Sequence, residues 1–336
     1  MTEARTAATG SGAGHDEVAP SDLDAWIGRT EERRDTVTAV PMAALAASLD
    51  RDEPMPRVGT ELPALWHWLY FLPLARQGEL GPDGHPKRGG FLPPVPLPRR
   101  MWAGSRLVFD RPLRVGDDIA RVSRIASIVR KEARSGPLVF VTVQHEIAGP
   151  AGTAIHEEHD IVYRDAASTP RRAASPALTS SAPFPPSRRT APSESSAPLP
   201  PSDPTEPIAR AGCCDAVFSR VIVPNEVLLF RYSALTFNGH RIHYDRRYAT
   251  EVEGYPGLVV HGPLIATLLL ELLRREQPRA TVSRFEFRAL RPIFDVHPFT
   301  VCGRPDGVGR FALWVRDAEE VLAMRASAEV GQTRST

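Results

Sequence analysis

A proline-rich stretch in the middle of the chain sets the first limit on how this sequence folds. Residues 166–207 hold eleven of the 33 prolines, with serine and alanine between many of them. Such a segment cannot bury enough apolar surface to offset the entropy that ordering costs, so it predicts a largely disordered linker. The linker divides the 336 residues into two predicted domains, 21–165 and 208–330, behind a loose tail at 1–20.

The two predicted domains share a coarse order of elements, in which helix-biased sequence comes before β-branched and aromatic runs. Such runs, separated by glycine-containing turns, predict antiparallel strands. In the first domain the helical candidates are 42–48 and 64–72, and the strand candidates are 105–110, 118–129, 137–148 and 154–164. In the second the helical candidate is 262–276, and the strand candidates are 214–223, 282–290, 299–304, 310–317 and 321–330. The pattern predicts one helix wrapped by a curled antiparallel sheet, occurring twice.

The helical candidate of the second domain predicts a site at its amino end. Its apolar residues surround the helix axis, which is typical of a helix buried on nearly all sides. Pro263 suits the first turn, and Gly262 lets a ligand approach the backbone closely. Since the first N–H groups of a helix have no partner within it, this end is suited to a polar atom that gains negative charge.

Net charge, cysteine content and hydropathy exclude several classes of protein. Lysine and arginine number 41 and aspartate and glutamate 40, so the net charge of +1 predicts neither nucleic-acid nor membrane binding. Cys213, Cys214 and Cys302 are too few for a disulfide framework and suit a reducing compartment. The first residues lack the apolar region of a signal peptide, and the apolar run at 264–270 is too short to cross a bilayer. We therefore predict a cytoplasmic protein.

The segment FNGHRIHYD, residues 237–245, concentrates polar groups directly after an apolar run. A histidine such as His243 is the side chain best suited to move protons near neutral pH, and an asparagine such as Asn238 can orient a water molecule. Together with the helix amino end at Gly262, these groups are able to activate water and to stabilise an enolate-like carbonyl.

This segment, followed by YPGLVVHGPLIATLLLELL at 255–273, resembles the catalytic stretch of the MaoC-like (R)-specific hydratases and dehydratases. It is most similar to the type 2 hydroxyacyl-thioester dehydratase branch, which includes mesaconyl-CoA and 3-methylfumaryl-CoA hydratases. The resemblance places the catalytic acid of the family on Asn238, its catalytic histidine on His243, and the glycine that polarises the thioester carbonyl on Gly262. Asn238 is similar to the branch in this respect, since its members carry Asn where other hydratases have Asp.

The resemblance implies an α+β fold, a double hot-dog, in which each domain wraps a long central helix with a curled sheet. The first domain looks like the amino-terminal hot-dog domain of the family without its catalytic motif, since residues 46–54 hold the corresponding place but contain no histidine. The implied reaction is reversible hydration of an α,β-unsaturated acyl-CoA to a 3-hydroxyacyl-CoA. A C5 dicarboxylic acyl group such as mesaconyl is favoured. No metal and no cofactor apart from the coenzyme A of the substrate is implied, and the family suggests a homodimer.

Five further residues near the motif are predicted to bind the substrate. His240 and His261 are expected to orient or pack within the site, and Arg241 is a candidate for recognition of a distal carboxylate or for a salt bridge in the pocket. Arg246 and Arg247 are candidates for contacts with the phosphates of coenzyme A, with solvated surface charge as the alternative.

Three other functions stay open at this point. His240, His243 and His261 can supply the three imidazoles of a zinc site, although no cysteine pair or Glu-x-x-His motif accompanies them. A thioesterase is the nearer enzymatic alternative, because the hot-dog fold hosts both reactions, with Asp245 and Glu271 as carboxylates outside the recognised catalytic positions. The third is a protein that binds acyl-CoA without turnover.

Overall fold

The computed structural model describes residues 20–133, 136–165 and 216–331. The three α-helices, α1 to α3 in chain order, are Ala39–Ser48, Glu226–Leu235 and Gly262–Glu276. The ten strands, β1 to β10, are Thr30–Thr36, Arg99–Phe109, Asp118–Ala133, Gly136–Gly149, Gly152–Arg164, Phe218–Ile222, Thr281–Ala289, Phe299–Pro305, Arg310–Arg316 and Leu322–Gly331.

All ten strands form one antiparallel sheet whose order repeats itself. The order is β1-β3-β4-β5-β2-β7-β10-β9-β8-β6, so that five strands from each half of the chain meet at the β2–β7 pair. Counted outward from this pair, each half runs through its second, fifth, fourth, third and first strand. The predicted α+β architecture, a curled sheet occurring twice, is therefore confirmed by the topology.

The β2–β7 junction requires a glycine at one position. A Cβ atom on Gly104 would lie 2.4 Å from the carbonyl oxygen of Phe287, well inside a normal contact. Gly104 pairs with Arg288 in the ladder, directly after a register shift in the β2–β5 pair. A residue without a side chain thus allows the two halves to form one continuous sheet.

The long helix predicted in the second half is α3, and it is buried as its sequence indicates. Ten consecutive residues of α3, from Leu264 to Leu273, are buried. The helix packs against β6, β8, β9 and β10, and its apolar side chains join a core cluster that extends into the first half. Glu271, which is buried, forms ion pairs with Arg275 and with Arg51 of the first half. The central helix therefore also ties the two halves together.

The first half lacks a comparable central helix, and the helical prediction for 64–72 is wrong. Only a single 3-10 turn, Trp66–Leu69, forms there, bounded by residues with positive φ, Leu65 at 70° and Phe71 at 57°. The turn is held by tertiary contacts, because the buried Glu157 carboxylate bonds the ring of His67 and the indole N–H of Trp68. These contacts outweigh local helix propensity.

Some sequence predictions fall outside the described residues. The linker at 166–207, the tail through residue 19, and Cys213 and Cys214 are among them, and the domain bounds stay a prediction. Cys302 is buried, and its sulfur accepts a hydrogen bond from the guanidinium of Arg316. Within the described ranges, no helix combines the length and the apolar character that crossing a bilayer requires.

Candidate active site

His243 ends a short 3-10 turn, Arg241–His243, and its ring is buried with 8% of its surface exposed. The Nδ1 atom lies 2.7 Å from the carbonyl oxygen of Val259. Because a carbonyl only accepts, Nδ1 carries the proton and donates, which leaves Nε2 as the nitrogen that can take up another proton. Burial lowers the pKa of His243 to about 4, although the bond to Val259 opposes the shift. The ring is therefore neutral at neutral pH.

His261 joins His243 to the amino end of α3. It is the N-cap residue of that helix and is fully buried. The rings of His243 and His261 are stacked with their centroids 3.7 Å apart and an interplanar angle of 17°. The Nε2 atom of His261 lies 2.8 Å from the hydroxyl oxygen of Ser233, and this hydrogen bond fixes the orientation of the ring. Burial holds the pKa of His261 well below its usual range.

Gly262 is the first residue of α3, directly after His261. A Cβ atom built on Gly262 would meet no described heavy atom within 4 Å, so the space beside its backbone is open. Pro263 follows in the first turn, where its missing N–H removes no helical hydrogen bond. The structure therefore stacks the His243 ring on the residue that precedes Gly262, and there is open space beside the glycine.

Asn238 lies just beyond the end of α2, after Phe237, whose φ is 49°. The backbone N–H of Asn238 donates to the carbonyl of Ser233, and its Oδ1 accepts from the backbone N–H of His240 at 3.0 Å. The side chain thus holds the turn that leads to His243. Its amide NH₂ group remains as a donor.

A loop of the first half reaches this segment, and its residues Asp83 and His85 are not predicted from the sequence. The ring of His85 lies 4.0 Å from that of His240 between centroids, and His240 contacts His243 edge-on at 5.4 Å. The Nδ1 atom of His85 is 3.1 Å from a carboxylate oxygen of Asp83. Burial lowers the pKa of His240 to about 2. We call the four rings His85, His240, His243 and His261 the histidine row.

The histidine row crosses from one half of the chain to the other, with a carboxylate at one end and a hydroxyl at the other. Burial opposes ionisation of Asp83, but its hydrogen bonds and charge interactions with His85, together with the charge interaction with His240, outweigh burial and hold the pKa of Asp83 below its usual range. Asp83 and His85 belong to a loop that carries no local motif, so only the fold reveals their position.

Each of the three predicted substrate-binding arginines is paired with a carboxylate. Arg241 donates to Asp245 through Nε at 3.0 Å and Nη2 at 2.8 Å, and its guanidinium lies 4.2 Å from the centre of the Tyr248 ring. Arg246 forms ion pairs with Asp295 and Glu226. Arg247, which is largely exposed, pairs with Glu251.

A cavity of about 430 Å³ lies between the halves, next to the histidine row. His240 and Ile242 form its wall on the side of His243, and Met101 and Tyr255 contribute apolar surface. Its charged lining residues are Asp83, Lys87, Arg88, Arg99, Arg100 and Glu253. A cleft with both apolar and charged walls beside the histidine row is a candidate site for a small polar molecule.

Comparison with known proteins decides the family. The profile described as hydroxyacyl-thioester dehydratase type 2 matches residues 65–197 and 196–295, more than half of the chain. The mesaconyl-C(4)-CoA hydratase of Chloroflexus aurantiacus is 44% identical over 314 residues, which cover 94% of this chain and 100% of that protein. This chain belongs to the type 2 hydroxyacyl-thioester dehydratase family.

Further relatives of this dehydratase agree with the assignment. The mitochondrial hydroxyacyl-thioester dehydratase type 2 of Schizosaccharomyces pombe is 46% identical over 86 residues, 25% of this chain and 29% of that protein. A solved MaoC-like dehydratase superposes with a TM-score of 0.62 at 16% identity, over 93% of this chain and 100% of that chain. At that identity the likeness concerns the fold, and it supports the double hot-dog assignment.

The dehydratase does not assemble its histidines as the zinc alternative requires. His243 and His261 are stacked with nearly parallel rings, and one nitrogen of each bonds to Val259 or Ser233. A different group, Asp83, His85 and His240, offers ligand atoms within 4.8 Å of one another. Among the residues that the structure describes, these three side chains are the candidates for binding a metal ion. The prediction that the enzyme uses no metal is tested by metal analysis of the purified protein.

Proposed function

We propose that this protein adds water to, and removes water from, the acyl group of a coenzyme A thioester, interconverting an α,β-unsaturated acyl-CoA and a 3-hydroxyacyl-CoA. Its family makes it a hydro-lyase. The observation that carries the proposal is the contact between His243 and His261, which sets a buried imidazole beside the amino end of α3.

In the proposed reaction His243 is the acid–base group. Its Nδ1–H is held by Val259, so Nε2 takes a proton from water as the oxygen attacks the β-carbon. The same nitrogen then delivers a proton to the α-carbon, on the same face. Proton transfer by a positioned side chain contributes about 10²- to 10⁴-fold to the rate.

The backbone of Gly262 is proposed to stabilise the negative charge that develops on the thioester oxygen. The first N–H groups of α3 have no acceptor within the helix, and the helix dipole favours negative charge at this end. One well-aimed donor of this kind contributes roughly 10²- to 10³-fold. The open space beside Gly262 supports this position for the thioester.

Asn238 is proposed to orient the attacking water. Its Oδ1 already accepts from the N–H of His240, so the water contact falls to its NH₂ group or to the remaining lone pair of Oδ1. In this proposal Asn238 therefore both stabilises the turn that leads to His243 and orients the attacking water.

For the substrate we propose an acyl-CoA with a C5 dicarboxylic acyl group, such as mesaconyl-CoA. The support is the relative of Chloroflexus aurantiacus, whose name specifies mesaconyl-C(4)-CoA and whose whole length this chain matches. The proposal includes a cytoplasmic homodimer that needs no metal and no cofactor apart from the coenzyme A of its substrate.

Thioester hydrolysis finds less support. The carboxylates considered for it are engaged, since Asp245 binds Arg241 and the N–H of Tyr248, and Glu271 is buried against Arg51 and Arg275. Neither is free to activate water or to attack a thioester.

A panel of enoyl-CoA esters tests the function. We expect the purified protein to abolish the enoyl absorbance of mesaconyl-CoA or crotonyl-CoA, with a gain of one water in the mass of the product and no free thiol. Release of free thiol indicates a thioesterase, and an unchanged substrate indicates a binding protein. Stoichiometric metal in protein purified without an affinity tag contradicts the metal-free reaction.

A further inference from the structure

One wall of the cavity carries more positive than negative charge. Lys87, Arg88, Arg99 and Arg100 line it, against the two carboxylates of Asp83 and Glu253. Glu253 pairs with Arg99 at 3.2 Å, and Asp83 bonds the ring of His85. The other three cations, Lys87, Arg88 and Arg100, therefore share the single carboxylate of Asp83, and the lining keeps an excess of positive charge.

Arg88 and Arg100 are held in place by groups that do not neutralise them. Arg88 donates to the carbonyl oxygens of Val95 and Pro98, the latter at 2.6 Å. Arg100 lies opposite Tyr163 in the β2–β5 ladder. Burial raises the pKa of Tyr163, and the nearby guanidinium of Arg100 opposes that shift. Among the described residues, no carboxylate forms an ion pair with either arginine. Two fixed guanidinium groups without an anion make a receptor for one.

The two arginines also lie close to each other, around one aromatic ring. The guanidinium carbon of Arg88 is 5.8 Å from the centre of the Tyr163 ring, and Arg100 is the ladder partner of the same tyrosine. Placing like charges together is unfavourable unless an anion binds between them, and a carboxylate matches the planar fork of a guanidinium. The chemistry of this corner therefore favours a carboxylate or a phosphate.

The position of the corner decides between these two anions. The cavity is bounded by His240, whose ring contacts that of His243, so it adjoins the end of the site where the acyl group reacts. The phosphates of coenzyme A are separated from the thioester by the whole pantetheine arm. Arg241, the arginine that the sequence singled out for this role, is already neutralised by Asp245.

We infer that Arg100, assisted by Arg88, binds the distal carboxylate of a dicarboxylic acyl group in this cavity and thereby selects dicarboxylic over monocarboxylic acyl-CoA substrates. The inference rests on the proposed function for the orientation of the acyl chain. It assigns substrate selection to the half of the chain that lacks the catalytic motif.

Binding of succinyl-CoA and butyryl-CoA, measured by calorimetry, tests the inference without turnover. Both thioesters carry a saturated four-carbon acyl group, which ends in a carboxylate in succinyl-CoA and in a methyl group in butyryl-CoA. We expect the wild type to prefer succinyl-CoA by about 10- to 100-fold, the range of a hydrogen bond between charged groups. In Arg100→Met the ratio of the two dissociation constants falls to about one.

Arg106→Met is the matched control, since Arg106 lies on the same strand but is exposed and paired with Glu158 and Asp160. We expect it to keep the wild-type ratio. Arg100→Lys keeps the positive charge but loses the paired N–H donors of the guanidinium, so we expect its ratio of dissociation constants to fall between those of wild type and Arg100→Met. If Arg100→Met fails to fold, Arg100→Lys provides the test.

Two results overturn the inference. One is a wild type without preference between the two thioesters. The other is an Arg100→Met protein that binds both more weakly by the same factor, which assigns Arg100 to the phosphates of coenzyme A. A failure of the proposed function has a different signature, because it leaves enoyl-CoA unhydrated while the succinyl preference persists.

Discussion

The imidazole of His243 lies face to face with that of His261, with ring centroids 3.7 Å apart, and this contact joins two segments that are distant in the chain. One segment follows α2 and ends in the 3-10 turn of His243, and the other opens α3. Ser233 holds His261 and Val259 holds His243, so both rings have fixed orientations. The contact thus sets one proton acceptor, the imidazole of His243, beside the N-cap residue of α3.

Burial of the histidines predicts that acid destabilises the fold earlier than usual. The pKa of His243 and of His159 is lowered to about 4 by burial, and that of His145 to about 3. An unfolded histidine binds a proton near pH 6.5, so between pH 6.5 and about 4 the unfolded chain binds more protons than the folded one. The free energy of unfolding therefore falls as the pH falls through this window, by about 1 kcal/mol for each such histidine at pH 5.5.

Urea denaturation at pH 7.5, 6.5 and 5.5 checks this dependence. We expect similar midpoints at the two higher values and a clearly lower midpoint at pH 5.5. A midpoint that stays constant down to pH 5 contradicts the neutral, buried state of these rings.

Replacing Gly262 by alanine separates catalysis from folding. The new methyl group meets no described atom within 4 Å, so we expect an unchanged or slightly higher unfolding temperature. The same methyl group enters the space proposed for the thioester, and we expect kcat/KM for hydration to fall at least about tenfold. Gly78→Ala, at another position with open space around its Cβ, serves as the control. Equal kcat/KM values for Gly262→Ala and wild type place the thioester elsewhere.

Replacing Asn238 by aspartate tests its proximity to His243. An aspartate keeps the acceptor for the N–H of His240, so the turn and most of the activity are expected to survive. Because a nearby negative charge favours the imidazolium, the pKa of His243 rises. The acid limb of kcat/KM, near pH 4 in the wild type, then moves up by about one unit. Pre-incubation at each pH followed by assay at pH 7 separates titration from unfolding. If the acid limb of the kcat/KM profile does not move, Asn238 only stabilises the turn that leads to His243.

Much of the fold follows from local sequence patterns. The apolar residues around all sides of α3 predict a buried helix, and the alternating runs of β2 to β5 and β7 to β10 predict strands. The patterns miss β1, because its sequence TEERRDT is charged and lies at a sheet edge. They also fail at residues 64–72, where contacts with the buried Glu157 decide the conformation.

The site shows the same division between local and long-range information. Asn238, His243 and Gly262 follow from the motif and the helix start, and the structure shows the stacking of His243 on His261, the residue before Gly262. The partners of the histidine row, Ser233 and His85, carry no local signal, since only the tertiary fold brings them to the rings. Arg100 is one of many arginines in the sequence. Its lack of an anionic partner is a property of the folded cavity alone.

The rate of crotonyl-CoA and mesaconyl-CoA hydration by His243→Asn tests the central claim most directly. The amide nitrogen of asparagine takes the place of Nδ1 and can still donate to the carbonyl of Val259, but asparagine cannot take up a proton, so the fold is expected to persist while kcat falls at least about 10²-fold. The control is His156→Asn, at an exposed histidine of β5, which we expect to retain the wild-type rate. A folded His243→Asn protein that hydrates either thioester at the wild-type rate contradicts the assignment of His243 as the acid–base group.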